Sequence, residues 1–188
     1  RDPKLWQQED GSYRCVVANR AEGGNGQILQ YRSEDGFHWD FKSILCANDG
    51  RLGTMWECPD FFRLDENWVL LTSPMDMLPD GREYHSGNGT LCMIGEYDDE
   101  SGRFEPKTDQ AVDYGIDFYA MQTLLTPDGR RVMIGWMQNW DSSEVRGNET
   151  RWFGQISLPR ELSIRDGRLL QRPVRELEEL RHGRVNYE

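Results

Sequence analysis

Apolar and aromatic residues come in short alternating runs, each closed by a cluster of Asp, Gly, Asn or Pro, and the spacing of an amphipathic helix is almost absent. Leu5-Trp6 is followed by the turn Glu9-Asp10-Gly11 and then by Tyr13 to Val17. Phe61 to Leu64, the turn Asp65-Glu66-Asn67 and Trp68 to Thr72 repeat the arrangement, and so do Met121 to Leu125, Pro127-Asp128-Gly129 and Arg131 to Trp136. Leu162 to Ile164, Arg165-Asp166-Gly167 and Arg168 to Gln171 close the series. Such a pattern predicts antiparallel hairpins and an all-β fold, either a sandwich or a propeller. Grouped by spacing, the hairpins form units of about 40–50 residues, the size of a four-stranded propeller blade. The units run from Arg1 to Phe41, Trp56 to Phe104 and Tyr114 to Trp140, with closing strands from Trp152 to Gln171. This spacing predicts a partial propeller of about four blades over residues 1–173. Within the first unit, Ser33-Glu34-Asp35-Gly36-Phe37-His38-Trp39 reads as a hairpin turn whose Ser and Asp bond the backbone while Trp packs beneath. The tail 174–188, with Leu177 and Leu180, predicts a short helical segment leaving the domain.

Composition narrows the function. The 188 residues carry 22 Lys+Arg against 33 Asp+Glu, a formal charge of -11 that repels phosphate backbones and anionic lipid, so nucleic acid and membrane surfaces are not expected partners. With 37% hydrophobic and 11% aromatic residues, the chain is rich enough in apolar side chains to fold around a core. No run approaches the roughly 20 apolar residues of a membrane span, and no basic-then-apolar leader opens the sequence. Cys15, Cys46, Cys58 and Cys92 form no CxxC pair and have no partnering His cluster, so a structural metal is not expected. Reduced, half-buried thiols in a cytoplasmic protein are the expectation.

Two segments place carboxylates beside aromatics and tight turns. In Arg1-Asp2-Pro3, the proline biases Asp2 toward an extended conformation and Arg1 sets a permanent positive charge beside it. In Met55-Trp56-Glu57-Cys58-Pro59-Asp60-Phe61-Phe62, a carboxylate lies between Trp56 and Cys58, a setting suited to general acid chemistry. The plain alternative is that Glu57 is a strand-end salt-bridge partner, and residue types alone leave both readings open.

A resemblance goes further. Arg1-Asp2-Pro3-Lys4, Trp56-Glu57-Cys58-Pro59-Asp60, the run from Tyr114 to Ala120, Ile134-Gly135-Trp136-Met137 and Ser157-Leu158-Pro159-Arg160-Glu161-Leu162 occur in the order found in glycoside hydrolase family 32. These are the β-fructosidases of invertase, sucrose-6-phosphate hydrolase, levanase and inulinase type. The resemblance implies a five-bladed β-propeller whose funnel hydrolyses β-fructofuranosides with retention, acting on sucrose, sucrose-6-phosphate or fructans. It implies that Glu57 is the general acid/base, that Asp2 holds fructose hydroxyls and stabilises the transition state, that Cys58 tunes the acid, and that no metal or organic cofactor takes part. Arg1 matches a substrate-contacting arginine, and Asp113, Asp117 and Trp136 match positions lining the pocket or its aglycone side.

The chain also departs from the family pattern. The Trp-Met-Asn-Asp-Pro-Asn-Gly segment that carries the family nucleophile does not occur, and the one Asn-Asp pair, Asn48-Asp49, is followed by Gly50. A fragment lacking the N-terminal blade and the C-terminal β-sandwich is expected, without hydrolysis of its own and with blade edges free to self-associate. The competing reading is a non-catalytic carbohydrate-binding propeller. The related inverting arabinosidases and xylosidases are disfavoured by the Glu-Cys-Pro and Leu-Pro-Arg-Glu-Leu motifs. Trp140, Trp152 and Phe153 are candidates to stack on sugar rings, although packing is the commoner role of such residues. The loop His85-Ser86-Gly87-Asn88-Gly89 differs from the relatives and bears on specificity only if it reaches the pocket.

Overall fold

The computed structural model describes residues 1–143, 152, 154–183 and 185. The described strands form three four-stranded antiparallel sheets, each a simple meander. The first contains β1 (Lys4–Gln7), β2 (Tyr13–Arg20), β3 (Gly26–Ser33) and β4 (Asp40–Ala47). The second contains β5 (Met55–Leu64), β6 (Asn67–Met75), β7 (Leu91–Asp98) and β8 (Arg103–Gln110). The third contains β9 (Tyr119–Leu125), β10 (Arg131–Trp136), β11 (Arg160–Arg165) and β12 (Arg168–Pro173), followed by a 3-10 helix over Arg175–Leu180. No described helix is long and apolar enough to cross a membrane.

The turn chemistry sets the registers. Leu64 pairs with Asn67 across Asp65-Glu66, and Arg165 pairs with Arg168 across Asp166-Gly167, where both turn residues have positive φ. Two-residue turns of that kind match the right-handed twist of the strands they join. In the Ser33 to Trp39 turn, the Asp35 carboxylate accepts bonds from the Phe37 and His38 amides, and Ser33 Oγ accepts one from Gly36, so the segment is a structural hairpin closure.

The four units expected from spacing resolve into three blades. The last two units are a single sheet, because Val132 pairs with Glu161 and Met133 with Arg160. The connection after Trp136 returns along β10, with the Met137 amide bonded to the Gln155 carbonyl and the Ser157 amide to that of Gly135. A long connection within one blade therefore resembled a boundary between two.

The middle blade is buried on both faces, which explains the almost continuous apolar run of β6. Phe61, Leu70 and Met93 pack toward the first blade with Val16, Ile28 and Leu45. Alternate residues Phe62, Val69, Leu71, Cys92 and Ile94 pack toward the third with Met121, Met133 and Leu162. The outer faces of the first and third blades leave Leu5, Phe41 and Ile44, and Leu124 and Ile134, exposed. All four cysteines are free, three buried and Cys58 half-buried.

Candidate active site

The strands β1, β5 and β9 lie at one edge of their sheets, and each carries the same kind of corner: just before β1, at the irregularity inside β5 and at the second residue of β9. Asp2, Cys58 and Ala120 all have positive φ, of 57°, 49° and 51°, so Asp2 is left-handed and not in the extended conformation that a following proline favours. A side chain there costs on the order of 1 kcal/mol, so three aligned instances mark a built corner. The residue before each corner, Arg1, Glu57 or Tyr119, reaches one shared point.

Glu57 is at the centre of that point, its side chain only 3% exposed. Arg1 Nη1 lies 2.8 Å from Glu57 Oε1. The Tyr119 hydroxyl donates to Glu57 Oε2 at 2.8 Å, and Trp140 Nε1 donates to the same oxygen at 3.1 Å. A buried carboxylate is tolerated when its charge is paired and its lone pairs are filled, and here three side chains do so. Burial and the neighbouring Glu57 charge push the Tyr119 hydroxyl far above the usual phenol range, so it keeps its proton and acts as a donor.

Asp2 is the second carboxylate, with 33% of its side chain exposed on the open side of the site. Its Oδ2 accepts the Cys58 amide at 3.1 Å and contacts Cys58 Sγ at 3.7 Å. The left-handed turn at Cys58 aims that amide at Asp2. Burial, reinforced by the charges of Asp2 and Glu57, raises the Cys58 thiol to about 12, so it stays protonated. Arg1, with 56% of its side chain exposed, bridges the two carboxylates, its Nε 3.6 Å from Asp2 Oδ2. The group thus holds one enclosed carboxylate surrounded by donors, one accessible carboxylate and an accessible guanidinium. That combination suits proton transfer at Glu57 beside a second, accessible negative charge at Asp2. Among the described residues, no group of three His, Cys, Asp or Glu side chains could hold a metal ion.

Residues 1–173 match the glycosyl hydrolases family 32 N-terminal domain. The chain belongs to glycosyl hydrolase family 32. A raffinose invertase of Escherichia coli is 41% identical over 181 residues, covering 96% of this chain and 38% of that protein. A sucrose-6-phosphate hydrolase of Staphylococcus xylosus is 37% identical, covering 96% of this chain and 36% of its own length. A solved Bombyx mori family 32 β-fructofuranosidase superposes with a TM-score of 0.89 at 39% identity, covering 99% of this chain and 39% of that structure. The chain therefore spans about two fifths of the length of these family 32 proteins.

Of the residues singled out from the family 32 motifs, Arg1, Asp2, Glu57 and Cys58 converge. Trp136 stands behind Trp140, their rings 5.6 Å apart and edge-on. Asp117 lies on the rim, accepting the Ser142 hydroxyl at 2.6 Å. Asp113 is placed differently: its carboxylate is bonded to Arg160 at 2.7 Å and to the Gly115 amide at 2.8 Å, tying the loop before β9 to β11. Asn48-Asp49 forms a capped turn in which Asn48 Nδ2 donates to the Gly53 carbonyl at 2.6 Å. Asn88, in the departing loop, is pinned to the rim by Asp141 at 2.9 Å. Phe153 lies outside the described residues, and Trp152 is exposed. Tyr119 and Trp140 are the contacts to Glu57 that the motifs do not assign; Tyr119 sits in a family motif without a role of its own, and Trp140 reads from the sequence as a stacking or packing aromatic.

Proposed function

We propose that the chain is part of a β-fructofuranosidase that hydrolyses sucrose, sucrose-6-phosphate or fructans with retention, within a five-bladed propeller. The observation that carries this reading is the buried Glu57, held by Arg1, Tyr119 and Trp140 beside the accessible Asp2. Protonated Glu57 delivers its proton to the glycosidic oxygen as the bond to fructose breaks, and a nucleophilic carboxylate takes the fructosyl group as an ester. The same donors stabilise the anion left on Glu57, which then removes a proton from water as the ester opens. Asp2 holds fructose hydroxyls and faces the positive charge of the oxocarbenium-like transition state, while Arg1 supplies a further hydroxyl contact. The family nucleophile belongs to the Trp-Met-Asn-Asp-Pro-Asn-Gly segment, so in this reaction it comes from outside the 188 residues, which alone do not hydrolyse.

The four free thiols support a cytoplasmic location. The exposed outer faces of the first and third blades support self-association of the isolated chain, which sedimentation would reveal as a dimer or larger species. The function is tested by fructose release from sucrose, sucrose-6-phosphate and inulin by the full-length protein. Release from at least one, with losses of about a hundredfold or more in Asp2→Asn, is expected; binding of sugar without release would make the protein a carbohydrate-binding propeller.

A further inference from the structure

One layer below the carboxylates, the same three strands are joined by a second group of polar side chains. Lys4 Nζ donates to the Thr123 carbonyl at 2.7 Å and to Gln122 Oε1 at 3.1 Å, and lies 3.3 Å from Asp60 Oδ2. Asp60, 1% exposed, accepts the Thr123 amide on that same oxygen at 2.6 Å. Gln122 Nε2 returns to the Cys58 carbonyl at 3.1 Å, directly at the left-handed corner that presents Glu57. All three donors of the ammonium are thus used, and every strand is bonded to the other two.

The positions repeat along the three strands. Lys4 follows the Asp2 corner by two residues, Asp60 follows the Cys58 corner by two, and Gln122 follows the Ala120 corner by two. No direct bond is needed between this layer and the carboxylates, because each tie sits on the backbone that carries one of them. A buried ion pair is weak evidence of stability, since apolar replacements of the same volume often do as well. Its directional bonds instead fix the distances between strands.

We propose that Lys4, Asp60 and Gln122 form a positioning clamp for the acid/base: they hold β1, β5 and β9 so that Asp2 and Glu57 face one fructosyl group. The proposal rests on the β-fructofuranosidase reading. Lys4, Asp60 and Gln122 touch no reacting atom and act through the strands, so loosening them affects the transition state, which needs both carboxylates aligned, more than substrate binding.

The test uses the full-length protein with Asp60→Asn, Lys4→Met, the double variant and the milder Gln122→Leu, below their melting temperatures, with kcat corrected for the folded fraction by circular dichroism. Asp60→Asn and Lys4→Met should each lower kcat for sucrose by about tenfold or more with KM changed less than about threefold. The double variant should lose little beyond either single one, because both break one device. Gln122→Leu, which removes the tie to Cys58 without leaving a buried charge, should lose about threefold or more in kcat and decides the matter if the charged variants do not fold. Wild-type kcat per folded molecule in Gln122→Leu, or losses in Lys4→Met and Asp60→Asn that simply multiply, would overturn the clamp. A wild-type protein that releases no fructose would overturn the functional reading, and the clamp with it.

Discussion

The buried Tyr119 hydroxyl lies 2.8 Å from Glu57 Oε2 and 3.0 Å from the Ser73 carbonyl, one donor facing two acceptors. With Glu57 ionised, the charge makes the carboxylate the stronger acceptor. With Glu57 protonated, the hydroxyl has the Ser73 carbonyl to turn to. Tyr119 thereby follows the proton through the proposed reaction with an acceptor for its hydroxyl at either stage.

Tyr119→Phe removes that donor and keeps the ring. A hydrogen bond to a charged group is worth roughly 1.5–3 kcal/mol, so kcat should fall about tenfold to a hundredfold. Steady-state kinetics on sucrose checks this, and an unchanged kcat would show that the bond is idle.

Trp140→Phe should cost less, about threefold to tenfold in kcat, because its bond to Glu57 is longer and Trp140 is half exposed. Asp141→Ala should mimic it. The Asp141 carboxylate pins the next residue of the rim to Asn88 at 2.9 Å, and without it the indole loses its fixed position. Comparing the two variants shows whether the rim acts through Trp140.

Gly135→Ala tests how β10 delivers the rim. A Cβ at Gly135 would meet the Phe118 ring, which Arg160 covers from 4.4 Å. The ring cannot yield freely, so the substitution should lower stability by about 1–3 kcal/mol in denaturant unfolding and displace Trp136.

Alkali should destabilise the fold through buried acids that remain neutral in it. Burial raises the Cys46 thiol from 9.0 to about 11, and raises Tyr97 from 10.0 to about 12. The unfolded chain loses these protons first, so their contribution is intact below about pH 9 and is lost progressively up to about pH 12. The denaturation midpoint of the parent should fall over that window, and Cys46→Ala should fall less steeply. Parallel curves would count against a thiol held neutral by burial.

Sequence legibility followed sequence distance. Hairpins such as Leu64 to Asn67 are readable because their turns are encoded by the residues within them, and Arg1, Asp2, Glu57 and Cys58 are readable because each lies in a short family motif. Tyr119 and Trp140 reach Glu57 across 62 and 83 residues, separations at which no local pattern announces a contact. The same holds for Lys4 and Asp60, 56 residues apart and, as charged residues, indistinguishable in the sequence from surface ones. Asp113 lies just before a family motif, and its bond to Arg160, 47 residues on, is likewise not encoded locally. The third blade was divided in two because its β10 to β11 connection exceeds the usual hairpin length.

The most direct measurement is the pre-steady-state reaction of the full-length Glu57→Gln protein with two fructosides, sucrose and an aryl fructoside whose phenol leaves without protonation. An acid/base at Glu57 predicts a loss of about a hundredfold or more on sucrose, while the aryl substrate still gives a rapid burst of phenol followed by slow turnover. Equal losses of the first step on both substrates, or near wild-type hydrolysis of sucrose, would contradict it.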